Sequence, residues 1–101
     1  MTVVQEMQKL RDWLDNNGIE WHDHSSDKIP ELFWMCRTKF YIKGNEFSVI
    51  NGIGSYGGKR YASAKNHGLL ELWINQKGKS EGYLTADDVI KRIKLFEREN
   101  G

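Results

Sequence analysis

Cysteine is almost missing from this sequence. Cys36 is the only one, which excludes an internal disulfide and suits a reducing compartment. Proline is as rare: Pro30 stands alone, in a polar connection from Ser25 to Glu31. No apolar run is long enough to cross a bilayer, and no basic stretch leads into an apolar one at the start. The expectation is a chain without signal peptide or membrane span, located in the cytoplasm. Charge of one sign is lacking too. Fifteen Lys and Arg against fourteen Asp and Glu leave a net of +1, so bulk charge points to no class of partner.

Aromatic residues are what the chain does have. Four Trp, four Tyr and four Phe supply large apolar area per residue. They offset a hydrophobic content of only 39% and favour a folded chain over a disordered one. At 101 residues the expectation is a single domain, 1–101, with one thin core.

Charge is unevenly distributed. Residues 1–31 carry seven acids and three bases, and residues 80–101 carry five acids and four bases. The middle, 32–79, carries eight bases against Glu46 and Glu71. A net of −4, −1 and +6 respectively marks the centre as a candidate surface for an anionic ligand. A solvated surface of mixed charge is the plainer reading.

Periodicity orders the elements. Val3, Met7, Leu10 and Leu14 fall at helical spacing, predicting a helix from Thr2 to Asn17, with Thr2 and Gln5 as a capping box. Asn16-Asn17-Gly18 is its stop. Ile19 to His24 alternates as a short strand near an edge. From Leu32 to Ile42 an extended segment would turn Leu32, Trp34, Cys36, Thr38, Phe40 and Ile42 to a core. Phe33, Met35, Arg37, Lys39 and Tyr41 would face the other way. Lys43-Gly44-Asn45 reads as a tight hairpin turn, and Glu46 to Asn51 returns with Phe47 and Val49 inward. Leu69 to Asn75 has an ambiguous period and is taken as a strand. Gln76 to Gly82 reads as a polar loop, with Tyr83-Leu84 as a brief extended segment. Thr85 caps a last helix, with Asp87 and Asp88 in its first turn and Ala86, Val89, Ile90, Ile93 and Phe96 on one face. The fold class expected is α+β: an antiparallel sheet of about four strands with amphipathic N- and C-terminal helices packed on one face.

Between the strands lies a stretch from Asn51 to Gly68 that holds five of the ten glycines. Such density is either a chain reversal or a place where backbone amides meet a ligand. Gly52, Gly54 and Gly57 form a formal G-x-G-x-x-G. The residues after Gly57 have no helical periodicity, and no second βα unit appears, so a dinucleotide fold is not supported. Arg60 stands where a P-loop needs Ser or Thr. A looser reading remains, in which exposed amides with Ser55, Lys59, Arg60 and Lys65 hold a phosphate and Tyr56, Tyr61 or His67 stacks on a base. A long hairpin connection with glycines at its bends is the plainer account.

Other chemistry has less behind it. His22 and His24 fall on one strand face, a spacing that can bind zinc, but nothing brings Cys36 or His67 to them, and no metal is assigned. Cys36 has no spacing signature for a nucleophile, and no catalytic residues or cofactor are expected. Trp13 and Trp34 are assigned to the core. Trp73 lies on the side away from Leu70 and Leu72, where a second layer, a subunit contact or a partner-protein hot spot would meet it.

Three segments carry a likeness: Phe47 to Gly58, Gly68 to Trp73, and Gly82-Tyr-Leu-Thr-Ala-Asp-Asp-Val-Ile. With the Gly18-Ile-Glu-Trp segment, they resemble small uncharacterised proteins encoded by phages, prophages and mobile elements of Gram-positive bacteria. The resemblance carries no known functional residues. It implies a phage accessory protein in the host cytoplasm that inhibits host defence without catalysis, as anti-CRISPR proteins do. The partner would be a defence protein such as a CRISPR effector, bound by Arg37, Lys39, Tyr41 and the glycine stretch. Two alternatives stand beside it. One is a nucleotide sponge that uses Tyr56, Lys59, Arg60 and Lys65; the other is a nucleic-acid-binding accessory protein. An open sheet face and unplaced aromatics also make a homo-oligomer an expectation.

Overall fold

The computed structural model describes residues 3–25, 35–52, 68–75, 77–78 and 80–100. Its elements are α1 (Gln5–Asn16), β1 (Trp21–Asp23), β2 (Met35–Ile42), β3 (Asn45–Gly52), β4 (Leu70–Ile74), β5 (Ser80–Leu84) and α2 (Ala86–Asn100). The strands form one antiparallel sheet in the order β1-β2-β3-β4-β5. The class is α+β, as expected, with five strands instead of about four.

The first helix is shorter than the periodicity suggested. Val4 is its N-cap in an extended conformation, with no side-chain cap, so the capping box expected of Thr2 and Gln5 does not start it. Its end obeys the sequence signal. Gly18 takes a φ of 68°, and Ile19 N–H donates to Leu14 O at 2.9 Å while Gly18 N–H donates to Asp15 O at 3.1 Å. This pair of bonds is the Schellman closure that a left-handed glycine permits.

The β2–β3 hairpin turns in two residues, Lys43 and Gly44, at φ of 52° and 78°. Two positive values make a type I′ turn, whose twist matches that of the flanking strands. Asn45, expected within the turn, instead pairs with Ile42 as the first residue of β3. From there the register runs without a break to Met35 opposite Gly52.

The fifth strand is the larger correction. Ser80, Glu81 and Gly82, expected in a loop, belong to a strand that pairs with β4 through a register shift between Leu70 and Leu72. A bulge of this kind breaks the alternation that reveals a strand in a sequence. An edge strand also needs few apolar residues.

Both helices cover the same side of the sheet. Met7, Leu10 and Leu14 of α1 and Val89, Ile93 and Phe96 of α2 share one buried cluster with Cys36, Phe40, Phe47, Val49 and Leu72. At its centre Phe47 lies 5.3 Å from Phe40 and, edge-on, 5.2 Å from Phe96. Helix α2 opens with the Thr85 cap the sequence signals. Thr85 N–H donates to Asp88 Oδ2 at 3.0 Å and Asp88 N–H to Thr85 Oγ1 at 3.2 Å. Glu6 of α1 accepts from Ala86 N–H at 2.7 Å and so ties the two helix starts together.

Phe47 joins β2, β3 and α2 in one contact. Phe47→Ala is expected to cost about 3–5 kcal/mol, read as a lower urea midpoint. A loss below about 1 kcal/mol, the range of surface changes, would mean that this cluster is not the core.

Candidate functional site

One side of the sheet is thus sealed, and among the described residues no helix covers the other. Strand alternation decides what lies there. Cross-strand pairing puts Lys39, Ser48 and Trp73 in one row, flanked by His22 and Ser80. Arg37, Ile50 and Glu71 form the next row, and Tyr41 faces Glu46 beyond the first. Arg37, Ser48, Ile50, Glu71, Trp73, Ser80 and Glu46 line a shallow basin of about 390 Å³.

Three of the residues singled out from the sequence, Arg37, Lys39 and Tyr41, stand on this face in one column along β2. Arg37 and Tyr41 are exposed, Tyr41 by 52%, while Lys39 and Trp73 are half-buried. Ser55, Tyr56, Lys59, Arg60, Lys65 and His67 lie outside the described residues, as do Phe33 and Trp34.

The basic and aromatic column does not stand alone. The register lays acids from the neighbouring strands beside it. Lys39 Nζ lies 3.3 Å from Glu46 Oε1, and the Tyr41 hydroxyl donates to the same oxygen at 3.5 Å. Glu71 flanks Ile50 on the far side from Arg37. Among the described residues the face therefore carries two cations toward β2 and two anions toward β3 and β4. Reading β2 by itself shows only the first half. The Arg37 guanidinium reaches back to Met35 Sδ at 3.7 Å.

Beneath β2, on the helix side, lies a residue the sequence reading passed over. Arg11 is only 5% exposed. Its Nε donates to Thr38 Oγ1 at 2.7 Å. Its Nη2 reaches Arg37 O at 3.4 Å and Asp23 Oδ1 and Cys36 Sγ at 3.5 Å each. The guanidinium also lies 4.6 Å from the Trp21 ring centre, within cation–π range. The Thr38 hydroxyl passes its own hydrogen to Met7 Sδ at 3.1 Å. The signal was present: Met7, Leu10, Arg11 and Leu14 share one helical face, so Arg11 had to point inward. It fastens β1 and β2 to α1 and sets the height of the strand that displays Arg37 and Lys39.

His22 and His24 have ring centres 6.4 Å apart, and His22 stands opposite Lys39 on the uncovered face. Cys36 is buried on the other side of the sheet, so it cannot join them. Among the described residues no group of three or more His, Cys, Asp or Glu side chains is placed to hold a metal ion. No helix of the described residues is long and apolar enough to cross a membrane.

A larger groove of about 490 Å³ runs between α2 and the β4–β5 hairpin, floored by Leu72, Leu95 and Phe96. Its charged rim is satisfied from within: Arg92 donates to both oxygens of Glu81 at 2.6 and 2.9 Å, and Lys77 pairs with Glu99 at 3.5 Å. The uncovered sheet face, which combines an arginine with a central tryptophan, is the better candidate for recognition.

No protein-family model, curated protein or solved structure matches this chain.

Acid should loosen the framework in a defined set of contacts. The Ser25 hydroxyl and backbone N–H, with Arg11, hold the Asp23 carboxyl below its ordinary value, against an opposing effect of burial. Arg92 does the same to Glu81, and the Thr85 backbone N–H and hydroxyl to Asp88. A carboxylate with a lowered folded value stabilises the fold above its unfolded value, and that stabilisation is lost as pH falls through the folded one. Unfolding midpoints are therefore expected to hold steady above about pH 5 and to fall progressively below about pH 4. Asp23→Asn should flatten part of that decline; an unchanged acid limb would remove Asp23 as a contributor.

Proposed function

We propose that this protein acts by stoichiometric, non-enzymatic binding of another protein across the uncovered face of β2–β5. The observation that supports this most is the two-sidedness of the sheet. Among the described residues both helices seal one face, while the other carries half-buried Trp73 on β4 with exposed Arg37 and Tyr41 on β2. Trp, Tyr and Arg are the residue types that dominate binding energy at protein interfaces. Among the described residues, Cys36 is buried on the helix side, whereas His22 is on the opposite face.

The sequence likeness to phage and mobile-element proteins supplies the biological half of the reading. The partner is a host defence protein of the bacterial cytoplasm, and binding inhibits it in the manner of anti-CRISPR proteins. Lys39 and Arg37 would meet acidic groups on that partner, with Trp73 and Ile50 supplying the desolvated centre.

Titration against a purified CRISPR effector nuclease tests the reading. DNA cleavage is expected to stop near an equimolar ratio, and Trp73→Ala should weaken inhibition by about 30-fold or more, the loss typical of a hot-spot aromatic. Inhibition that continues to grow with time at a large substoichiometric deficit would show catalysis instead. Cyclic and adenine nucleotides are expected to leave the melting temperature unchanged. A concentration-dependent rise would show a nucleotide-binding protein, because ligand binding to the native state stabilises it by mass action.

A further inference from the structure

We infer that His22 and His24 together chelate one divalent transition-metal ion at strand β1, copper(II) in preference to nickel(II) or zinc(II). This goes beyond the proposed function and does not depend on it, since it needs no partner protein.

Backbone pairing puts the two imidazoles on one face. His22 is the middle residue of β1 and stands opposite Lys39. His24 lies just past Asp23, the last residue of β1, yet its N–H still donates to Arg37 O at 3.0 Å. That bond carries the extended pairing one residue further. Side chains two positions apart on a strand share a face, with their Cα atoms about 7 Å apart. Asp23, between them, turns to the helix side, where Arg11 and Ser25 hold its carboxylate.

Both rings are within reach of an ion. His24 is exposed, and the His22 side chain is 52% exposed. Their ring centres lie 6.4 Å apart, with the planes at 79°. Two imidazoles bound to one tetrahedral ion at about 2.0–2.1 Å each have ring centres roughly 5 Å apart. The two arrangements differ by about 1 Å, which exposed side chains cover by turning about χ1 and χ2. The ion needs these two rings alone and not a bare sheet face.

The charges around the pair accept a dication. Glu20 Oε1 lies 3.9 Å from His22 Nε2 and brings a carboxylate to the site. Two cations of β2 oppose it, and both are drawn aside. Lys39 Nζ lies 3.3 Å from Glu46 Oε1 on β3, and the Arg37 guanidinium reaches Met35 Sδ at 3.7 Å.

Two protein donors define what kind of site this is. A structural zinc centre takes four, and among the described residues no group of three or more His, Cys, Asp or Glu is placed to hold an ion. Water therefore fills the remaining positions of the bound ion. Imidazole nitrogens suit copper, nickel and zinc, and affinity along the first-row series peaks at copper. Magnesium and calcium take oxygen ligands and have no place here.

Calorimetric titration of the full chain with copper(II), nickel(II), zinc(II) and magnesium(II) tests the inference. One copper ion per chain is expected in the tightest class, with nickel and zinc about tenfold or more weaker and magnesium giving no binding heat. Paramagnetic copper at a substoichiometric amount should broaden the His22 and His24 ring signals in NMR spectra before that of His67. His22→Ala and His24→Ala change exposed side chains and should leave the circular dichroism unaltered. Each is expected to weaken copper binding about tenfold or more. The double change should add less than about threefold to either, because a chelate is lost with its first ligand. Two equal copper ions per chain, strictly additive losses, copper binding indifferent to either histidine, or broadening of His67 ahead of the pair would each overturn the proposal.

Discussion

The two-residue turn at Lys43 and Gly44 sets the side of the sheet on which every β2 and β3 side chain falls. Side chains alternate with a period of two, so a slip of one residue between the strands would put Phe40 and Phe47 on opposite faces of the sheet. The type I′ geometry permits one register, Ile42 with Asn45, and every later pair is fixed by counting from it. Strand β4 inherits the same parity by pairing Phe47 with Ile74 and Val49 with Leu72. The buried cluster and the uncovered rows are therefore two consequences of one local constraint. The burial energy of the phenylalanines supports the same parity, since a one-residue slip would expose one of them.

A charged side chain inside so thin a core is costly unless its hydrogens are taken up. Arg11 meets that condition by spreading its guanidinium over Thr38, Asp23, the Arg37 carbonyl and the Trp21 ring. The arrangement explains a strand that would otherwise be marginal. Strand β1 has only three residues, Trp21–Asp23, and its contribution to burial is a partly buried Trp21. Arg11 grips it from below by stacking on Trp21 and bonding to Asp23, while the Trp21 indole N–H donates to Asp15 at 2.8 Å. A lysine could supply charge there but not the planar fork that reaches several acceptors at once.

Most of the frame was legible in the sequence, because its signals are local and repeated. The stop at Gly18, the alternation of Cys36, Thr38, Phe40 and Ile42, the hairpin glycine and the Thr85 cap each depend on a few adjacent residues. What escaped depends on pairing. Strand β5 shows no alternation of its own; a bulge and the backbone of β4 make it a strand. The start of α1 moved because an extended Val4, not the Thr2 hydroxyl, precedes the first turn. The charge of the uncovered face was half legible. Arg37 and Lys39 are visible along β2, whereas Glu46 and Glu71 reach the same surface only through the register of three strands. Arg11 was hidden for another reason: an arginine within an apolar stripe is read as a surface residue unless the stripe itself is trusted.

That mixed face also explains why net charge was uninformative about partners. A net charge of +1 supplies little overall attraction to a polyanion, whose binding comes chiefly from neutralised phosphates, and much of the +6 over residues 32–79 lies outside the described residues. The described part of the chain instead displays cations and anions within a few strand spacings of each other, with an aromatic between. Such a pattern contributes little attraction at a distance, where salt screens it within about 10 Å, and discriminates sharply at contact, where each charge must meet its opposite. A surface of that kind selects by the geometry of its charges.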